Sequence, residues 1–521
     1  MRKKVLFFPV LAALMLAGCS NDEILNDDTG NGSQGEASYL AVNIVTPRTI
    51  MGRATDGGFQ EGDPEENAAD EGLFLFFNAA GNQTQTPQTV DLKWQANSAT
   101  DNPVIEKVSE AVLVIAGNTQ PTHLLVILNA PADLELGGKT LSEVRAIADG
   151  YNATLAENGK CNPLVITNST YKDSENKEVC ATKILNNLDK DKEKAKKNAV
   201  DVYVERVVAK VTTSVIGDDF AQGAKINVDG KEVTLSQTIE GIEIANIAEK
   251  SYLFKSISGF NTWSWTSWND ADNYRSYWAT CPDKLTYANQ SWNVIDNTDP
   301  TSAQTFYIQE NTSNKKSCVL VTATLKDEDG NAYNFVRWGG NYYTPDNFLQ
   351  QYCNLLQNAG YKVKTDDNGS TRTINTTDIA WLTDDEHKQL VSNNTLKGYE
   401  MTVQLTETAK GLTFVKGDED ATADDVNKFL LEKENLVWYW KDGKAYYFVN
   451  IEHFGDAPFN EGVVRNHIYA LNLKSLTGVG VAVFNPDETI IPEKPSDDLY
   501  YLAAQINILK WKLVSQDVNF D

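Results

Sequence analysis

The sequence has few histidines and none of the local motifs that usually mark an enzyme. Its 521 residues include only four histidines, which are scattered along the chain. There is no H-E-x-x-H, G-x-S-x-G, Walker or dinucleotide-binding glycine motif. We therefore predict no catalytic site, no metal and no cofactor. A hydrolase that uses two distant carboxylates needs no local motif, and this alternative stays open.

Basic residues are outnumbered by acidic ones. Lys and Arg total 46 against 72 Asp and Glu, which gives a formal net charge of −26. This negative charge argues against binding to nucleic acid or to an anionic membrane surface. Hydrophobic residues make up 41% of the chain, which is enough to form buried cores. A chain of this length is expected to divide into two domains.

The N-terminal segment lacks an apolar run long enough to span a bilayer. Val5 to Ala17 is apolar over 13 residues and follows a basic start. It ends in a pattern that looks like a bacterial lipobox, formed by Leu16, Ala17, Gly18 and Cys19. We therefore predict a signal peptide over residues 1–18, lipidation of Cys19, and an outer-membrane lipoprotein precursor. Residues 20–37 are rich in Asn, Asp, Gly and Ser, which is typical of a flexible tether.

Cysteine is scarce, with six residues and no C-x-x-C spacing. The sequence therefore does not indicate a zinc site. Five cysteines remain once Cys19 is lipidated, and an odd number cannot form a complete disulfide framework. Cys161 and Cys180 flank a polar loop, so a disulfide between them and buried free thiols are equally open.

Most of the chain carries the short apolar patterns of β-strands. Helix starts are marked at Thr344 and Thr422. Asp442-Gly443 predicts a hairpin turn, and residues 318–338 predict a second hairpin. Three prolines in residues 485–498 indicate an extended acidic linker that holds the C-terminal segment away from the preceding domain. These patterns predict a mainly β fold, with two sandwich domains and helical insertions.

Residues 262–278 are rich in Trp and Tyr that alternate with Ser and Thr. Such a segment could form an aromatic platform for carbohydrate, and the alternative function is therefore a surface glycan-binding lipoprotein. More often, aromatic residues of this kind pack a loop against a sheet.

Two segments near opposite ends of the chain are almost the same. YLAVNI at residues 39–44 and YLAAQI at residues 501–506 are identical at four of six positions. Both alternate as a half-buried strand does, with Leu40, Val42 and Ile44 on one face of the first copy. Two segments that could fill the same place in a sheet suggest that one replaces the other; the alternatives are a chance match and a simple pair of edge strands.

These motifs, in their order along the chain, resemble the fimbrillin family of Bacteroidetes. The chain looks like a major structural subunit of the shorter fimbrium type, which is a type V pilus. The resemblance is carried by the lipobox, the tether, YLAVNI, the arginine in IMGRATDGG, VERVVAKV (residues 204–211), VVRNHIY (463–469), the Pro-rich link and the segment 501–520.

The resemblance implies a fold of two transthyretin-like β-sandwich domains followed by a C-terminal donor strand. It also implies that an arginine-specific protease removes the lipidated segment and the first strand, and that the C-terminal strand of another copy fills the vacated groove. We predict cleavage between Arg53 and Ala54, with Arg48 as the alternative. The strand that is replaced contains Tyr39, Leu40, Val42 and Ile44; the donor strand contains Tyr501, Leu502, Ala504, Ile506, Ile508, Trp511 and Leu513, with a bend near Leu509.

These expectations divide the chain into a lipidated propeptide (19–53), an N-terminal domain (54–214), a C-terminal domain (215–496) and a donor strand (497–521). The expected partners are copies of the same chain in a head-to-tail filament, anchor and tip fimbrial subunits, the protease, and receptors on host or bacterial surfaces.

Overall fold

The computed structural model describes residues 38–47, 60–96, 105–116, 120–151, 163–184, 187–215, 220–258, 268–282, 285–288, 290–291, 304–366, 369–453, 462–485, 489–490, 500–509 and 513–517. Over these ranges the protein is mainly β, as predicted, with a few short helices. None of the helices in these ranges is both long and apolar enough to cross a membrane.

The main elements fall into two groups. Those of the first group are β1 (Ser38–Pro47), β2 (Glu71–Phe77), β3 (Gln88–Asp91), β4 (Trp94–Ala96), β5 (Ile105–Ile115), β6 (His123–Leu128), α1 (Leu141–Arg145), β7 (Ile166–Asn168), β8 (Leu188–Asp189), α2 (Lys192–Lys197) and β9 (Val200–Arg206). Those of the second group are β10 (Val208–Val215), β11 (Ala221–Val228), β12 (Lys231–Ala245), β13 (Gln304–Gln309), β14 (Cys318–Lys326), β15 (Phe335–Trp338), β16 (Asn341–Tyr343), α3 (Pro345–Asn358), α4 (Asp384–Ser392), α5 (Ala423–Leu430), β17 (Val437–Trp440), β18 (Lys444–Asn450), β19 (Ile468–Gly478), β20 (Tyr500–Leu509) and β21 (Leu513–Asp517).

The first group forms two sheets that share one strand. One sheet has the order β4-β5-β1-β9, and the other has the order β3-β2-β6-β7-β9. The first half of β9 pairs with β1 and its second half pairs with β7. Inward side chains of both sheets form a single apolar core that includes Leu113, Phe74 and Val126, so the sheets are packed face to face.

The second group is also built from packed sheets. One has the order β13-β10-β19-β20-β21, and β12, β14 and β18 are consecutive neighbours in another. Side chains of β10, β12, β14, β18 and β19 share one core. The strand pairing therefore passes from the first group to the second at Val207, between β9 and β10, whereas the sequence analysis placed the boundary after residue 214.

A helical insertion forms its own core between β15 and β17. Thr344 precedes α3, which begins with Pro345, and Thr422 caps α5 in a reciprocal hydrogen-bonded arrangement with Asp425. Both predicted helix starts are therefore confirmed. Short strands and α4 complete this insertion around a core that includes Phe348 and Leu430.

Both predicted hairpins are wrong. β17 pairs with β15, and β18 pairs with β14, so Asp442-Gly443 joins two strands that are not neighbours. The segments around residues 318–338 share only an isolated bridge between Lys326 and Ala332. In both places the turn chemistry was recognised correctly, but the strands pair with distant parts of the chain.

Candidate assembly site

The first strand occupies an interior position in its sheet. β1 lies antiparallel to β5 from Ser38 to Pro47, and residues 42–45 lie parallel to β9. On the edge of β1 opposite β5, the two-residue strand β8 pairs with residues 39 and 40, and β9 pairs with residues 42–45. We call the position between β5 and β9 the slot. Because β1 has backbone partners on both sides, its removal would break both ladders at once.

The inward face of β1 is part of the core. Leu40, Val42 and Ile44, three of the predicted residues, are fully buried there. Burial of a large aliphatic side chain contributes about 1.5–3 kcal/mol, so three of them contribute roughly 5–9 kcal/mol. Without β1, the slot would expose a strip of apolar core. Tyr39, the fourth predicted residue, is partly exposed.

The outward face of β1 is covered as well. Helix α2 lies against β1, and Ala41 of β1 and Ala195 of α2 are both fully buried. Asn43 donates a hydrogen bond from Nδ2 to Oδ1 of Asp201 on β9, at 3.0 Å. The sequence analysis did not foresee this cover, because the lysine-rich segment that forms α2 carries a single apolar residue, Ala195.

The second copy of the repeat lies against its own chain. β20 pairs antiparallel with β19 over its whole length, and β21 folds back to pair with β20. The predicted linker therefore does not hold this segment away from the preceding domain. Leu502, Ala504, Ile506 and Ile508 stand opposite Leu476, Leu473, Leu471 and Tyr469, in that order.

The C-terminal segment turns back instead of continuing past a bend. Leu509 stands opposite Leu513 in the antiparallel β20–β21 pair, so the chain reverses between these residues. The bend predicted near Leu509 is therefore a hairpin. Trp511 lies outside the described residues, as do Cys19, the lipobox residues Leu16, Ala17 and Gly18, and the predicted cleavage residues Arg48, Arg53 and Ala54.

A buried polar cluster closes one end of the slot. Arg206, the last residue of β9, pairs with Glu106 of β5 at 3.2 Å between Nη2 and Oε2, and both side chains are 4% exposed. Asn67 contacts both of them: its amide nitrogen donates to Glu106 and its amide oxygen accepts from Arg206. Arg206 also donates to the side-chain oxygen of Asn466 at 3.2 Å. Burial raises the pKa of Glu106, and the positive charge of Arg206 opposes this rise.

A second buried cluster joins the two groups of sheets. Arg465 and Glu310 form an ion pair with 2.6 Å between Nη2 and Oε1, and both are fully buried. Lys255 pairs with Glu205 of β9 at 2.7 Å, also out of contact with water. Burial raises the pKa of Glu205 and lowers that of Lys255, while their attraction acts the other way. Burial also lowers the pKa of His467 well below 6.5, and the neighbouring His453 adds to this effect.

Sequence reasoning missed the role of both clusters. VERVVAKV and VVRNHIY were used only as family markers, yet they supply Glu205, Arg206, Arg465 and His467 to the interface. A charged residue within an otherwise β-branched strand was the available signal, because such a residue must find a partner if the strand is buried.

The alternative interpretation of residues 262–278, an aromatic platform for carbohydrate, is not supported by three of the aromatic side chains that the structure describes. Trp268, Tyr277 and Trp278 are buried and share a small core with Ile257 and Val464. Trp263 and Trp265 lie outside the described residues. The packing interpretation of this segment is therefore the one that the visible part supports.

The structure also bears on the cysteine thiols and on metal binding. Cys180, Cys281, Cys318 and Cys353 are free thiols, and burial raises the pKa of each. Cys161 lies outside the described residues. Across the part of the chain that the structure describes, no three His, Cys, Asp or Glu side chains are grouped to hold a metal ion.

The sequence of the C-terminal part identifies its relatives. Residues 438–517 match the family described as major fimbrial subunit protein type IV, fimbrillin, C-terminal. The predicted resemblance to the fimbrillins is confirmed. The matched part contains β19, β20 and β21, and therefore the C-terminal strand together with the strand on which it lies. A comparison with curated proteins finds no significant sequence match.

The chain also matches solved structures from Parabacteroides, Bacteroides and Porphyromonas at low identity. A candidate cell adhesion protein from Parabacteroides distasonis is 12% identical, covers 91% of this chain and 98% of its own, and has a TM-score of 0.43. A candidate cell adhesion protein from Bacteroides eggerthii is 12% identical, covers 94% of this chain and 99% of its own, and has a TM-score of 0.33. The C-terminally truncated tip fimbrial protein Mfa3 from Porphyromonas gingivalis is 11% identical, covers 91% of this chain and 100% of its own, and has a TM-score of 0.30. These scores are low, so the description of the fold rests on the strand pairing of this chain.

Proposed function

We propose that the chain is a structural subunit of a surface fimbrium and that its copies polymerise by strand exchange. In this mechanism, cleavage frees β1, and β20 of another copy enters the slot between β5 and β9. One observation carries the proposal. The strand that fills the slot, with its inward face fully buried, has a near repeat in the C-terminal strand of the same chain, within the segment that matches the fimbrillins.

The energetics favour replacement over a vacant slot. The inward side chains of β1 contribute roughly 5–9 kcal/mol, which is comparable with the stability of a typical domain, about 5–15 kcal/mol. A subunit that has lost β1 is therefore marginally stable until another strand enters. Strand addition restores both the backbone hydrogen bonds and the apolar contacts.

The geometry of the exchange leads to an open filament. The slot belongs to the first group of sheets, whereas β20 rests on β19 in the second group. Each copy would therefore accept a strand at one place and donate a strand from another. Such a head-to-tail contact continues indefinitely unless rotation closes it into a ring, and this is how fibres form. Anchor and tip subunits would end the filament, and receptors on other cells would bind its surface.

Release of the donor strand requires a local change in its own subunit. β20 is paired with β19 and with β21, so both pairings must open before it can enter the slot of a neighbour. In the slot, β20 would gain β5 and β9 as partners instead. The exchange therefore conserves strand pairing, and the net driving force comes from filling the apolar slot.

Processing precedes assembly in this proposal. Cys19 is lipidated and places the precursor at the outer membrane, and an arginine-specific protease cuts between Arg53 and Ala54. Arg53 is preferred because glycines follow it closely, whereas Arg48 follows Pro47 at the end of β1. A Cys19→Ala variant should fold normally but fail to reach the cell surface, as measured by protease accessibility on whole cells.

Limited cleavage of the full chain tests the proposal. An arginine-specific protease should release the segment that contains β1, leave Ala54 as the new N-terminus, and yield fibres visible by electron microscopy. Arg53→Gln should abolish cleavage and fibres, whereas the control Arg48→Gln should not. An N-terminus at Thr49 would shift the site to Arg48, and a fully cleaved chain that stays monomeric at high concentration would contradict the assembly proposal.

Two donor variants test the C-terminal strand itself. A chain without residues 501–521 should fold as a precursor and be cleaved, but it should not form fibres. Ile506→Asp should act in the same way, because an unpaired charge would be buried in the slot at a cost of several kcal/mol. Fibres formed by the cleaved deletion variant would show that β20 is not the donor.

A further inference from the structure

The chain that follows the predicted cleavage loop is tied to one end of the slot. Asp63, at the start of a short helical turn over residues 64–67, pairs with Lys210 at 2.8 Å. Glu66, in that turn, is buried and pairs with the same Lys210 at 2.6 Å, and it accepts a hydrogen bond from Tyr307 at 2.5 Å. Asp63 and Glu66 lie nine and twelve residues after Ala54, which the predicted cleavage would make the new N-terminus.

Glu106 reaches this region because of an irregularity in β5. Thr46 of β1 stands opposite Lys107, but Pro47 stands opposite Ile105, so Glu106 is an extra residue without a partner on β1. An extra residue of this kind redirects the side chains that follow it. Ser109 and Ala111 point inward and are buried, so strict alternation along β5 would bury Lys107 next. Instead Glu106 is buried and Lys107 is partly exposed.

Arg206 reaches the same point from the other side of the slot. It follows Val202 and Val204 on the inward face of β9, and both of these valines belong to the core that β1 completes. Its Nε donates to the backbone oxygen of Glu66 at 3.1 Å. Space around it is tight, because a Cβ added at Gly62 would lie 2.6 Å from Nη2 of Arg206. The guanidinium group therefore connects β9 to the segment that follows the cleavage loop.

We propose that Asn67, Glu106 and Arg206 form an anchor that fixes the end of the slot when β1 leaves. The inference rests on the proposed strand exchange. The anchor holds β5 and β9 together beyond the last residues of β1, and it retains the chain from Gly62 onward, so that only the segment before it is released. These are positioning residues, since none of them lies within the donor strand or the strand that leaves.

The anchor also sets how far an incoming strand can advance. β1 ends at Pro47, opposite Ile105, immediately before the anchor. β1 and β20 are both ten residues long. Each begins one residue before the tyrosine that opens its copy of the repeat, Tyr39 in β1 and Tyr501 in β20. With Tyr501 in the place of Tyr39, Leu509 reaches the anchor at the residue where β20 ends. The donor strand therefore fills the slot in the register that aligns the two repeats.

The first test compares the anchor with an exposed ion pair of the same length. The test variant is Glu106→Gln with Arg206→Gln, which removes both buried charges together. The control is Lys225→Gln with Glu232→Gln, whose atoms are also 3.2 Å apart but whose side chains are 66% and 68% exposed. Full-length chains are studied before and after cleavage by hydrogen exchange of residues 60–67 and by electron microscopy.

Before cleavage, β1 still joins β5 to β9, so the test variant should exchange only slightly faster than the wild type at residues 60–67, through the loss of the direct bonds from Arg206 to Glu66 and Asn67. After cleavage, residues 60–67 should exchange at least tenfold faster in the test variant than in the wild type or the control, and its fibre yield should fall at least tenfold. Equal exchange and equal fibre yield in all three chains would overturn the proposal. If the test variant does not fold, Asn67→Ala, which leaves the ion pair in place, decides between the same two outcomes.

The second test measures the register by disulfide formation between copies. Leu509→Cys with Ile105→Cys should link neighbouring subunits in the fibre, whereas Leu509→Cys with Lys107→Cys should link them at least tenfold less. Preferential linking through residue 107 would contradict the proposed end of the slot. If the wild type is cleaved but forms no fibres, the proposed function fails, while exchange at residues 60–67 of the cleaved monomer still decides whether the anchor exists.

Discussion

Arg465 offers a sharp test of how much the second buried cluster contributes to stability. Its guanidinium is fully buried and donates from Nε and Nη2 to Oε1 of Glu310, at 3.0 and 2.6 Å. It also donates from Nη1 to the backbone oxygen of Leu253 at 3.0 Å and from Nη2 to that of Tyr252. An Arg465→Met substitution would keep the apolar volume but remove every one of these donors.

The expected loss is large because Glu310 would remain buried without its main partner. Breaking a buried ion pair by removal of one member costs about 3–5 kcal/mol. Replacement of both members by apolar residues is often close to neutral, so Arg465→Met with Glu310→Met should cost less than Arg465→Met alone. The carbonyl groups of Tyr252 and Leu253 would still lose a donor, which costs about 1–3 kcal/mol for each group left unsatisfied. We therefore expect a double variant that is less stable than the wild type but more stable than the sum of the two single losses.

Urea unfolding of the four chains gives the interaction free energy of the pair. The double variant should lose at least about 2 kcal/mol less than the sum of the two single variants, because the singles each leave a buried charge. The exposed Lys225–Glu232 pair serves as control and should show an interaction of about 0–1 kcal/mol. Single losses at positions 465 and 310 that add within about 0.5 kcal/mol would refute the reasoning.

Three further predictions concern stability. Burial lowers the pKa of His467 well below 6.5, so below about pH 6.5 the unfolded chain takes up a proton that the folded chain does not. The free energy of unfolding should therefore fall by up to about 1.4 kcal/mol for each pH unit below about pH 6.5. His467→Gln should remove this contribution to the slope, as measured by urea unfolding at several pH values. Ile44→Ala should cost about 2–5 kcal/mol in the uncleaved chain, measured by urea unfolding, whereas Asn43→Ala on the outward face should cost about 0.5–1.5 kcal/mol. Gly443 has φ 66° and an added Cβ would lie 2.1 Å from the oxygen of Leu325, so Gly443→Ala should lower the melting temperature more than Gly417→Ala, where φ is 63° but the space is open.

Local chemistry made much of the fold predictable. The start of α5 follows from the reciprocal bonding of Thr422 and Asp425, which needs only neighbouring residues. The inward face of β1 follows from alternation of Leu40, Val42 and Ile44. In both cases the deciding contacts lie within a few residues or depend on periodicity alone, so the sequence contains the information directly.

Strand partners were less predictable, because they depend on contacts between distant residues. Asp442-Gly443 has the composition of a tight hairpin, and Asp442 does adopt φ 51°. Even so, β18 pairs with β14, more than a hundred residues earlier in the chain, and not with β17. The resting place of β20 on β19 was missed for the same reason. A proline-rich link predicts an extended chain but does not specify the position of the segment that follows it.

The segment from Val200 to Val215 connects the two places that the proposed exchange requires. β9 borders the slot, and β10 continues from it into the next group of sheets, where it lies parallel to β19, the strand that carries β20. In the proposed filament, tension applied to a strand held in the slot would therefore pass through one continuous backbone to β10, which lies beside β19, the strand that precedes the donor strand in the chain.

The only break in that path is Val207, and buried charges flank it on both faces. Arg206 contacts Glu106 on the inward face, and Glu205 contacts Lys255 on the other. Because each charge is removed from water, rotation at this point would expose or separate an ion pair, which costs several kcal/mol. The ion pairs therefore oppose bending at the point where the chain passes from the first group of sheets to the second, and such stiffness would serve the proposed filament.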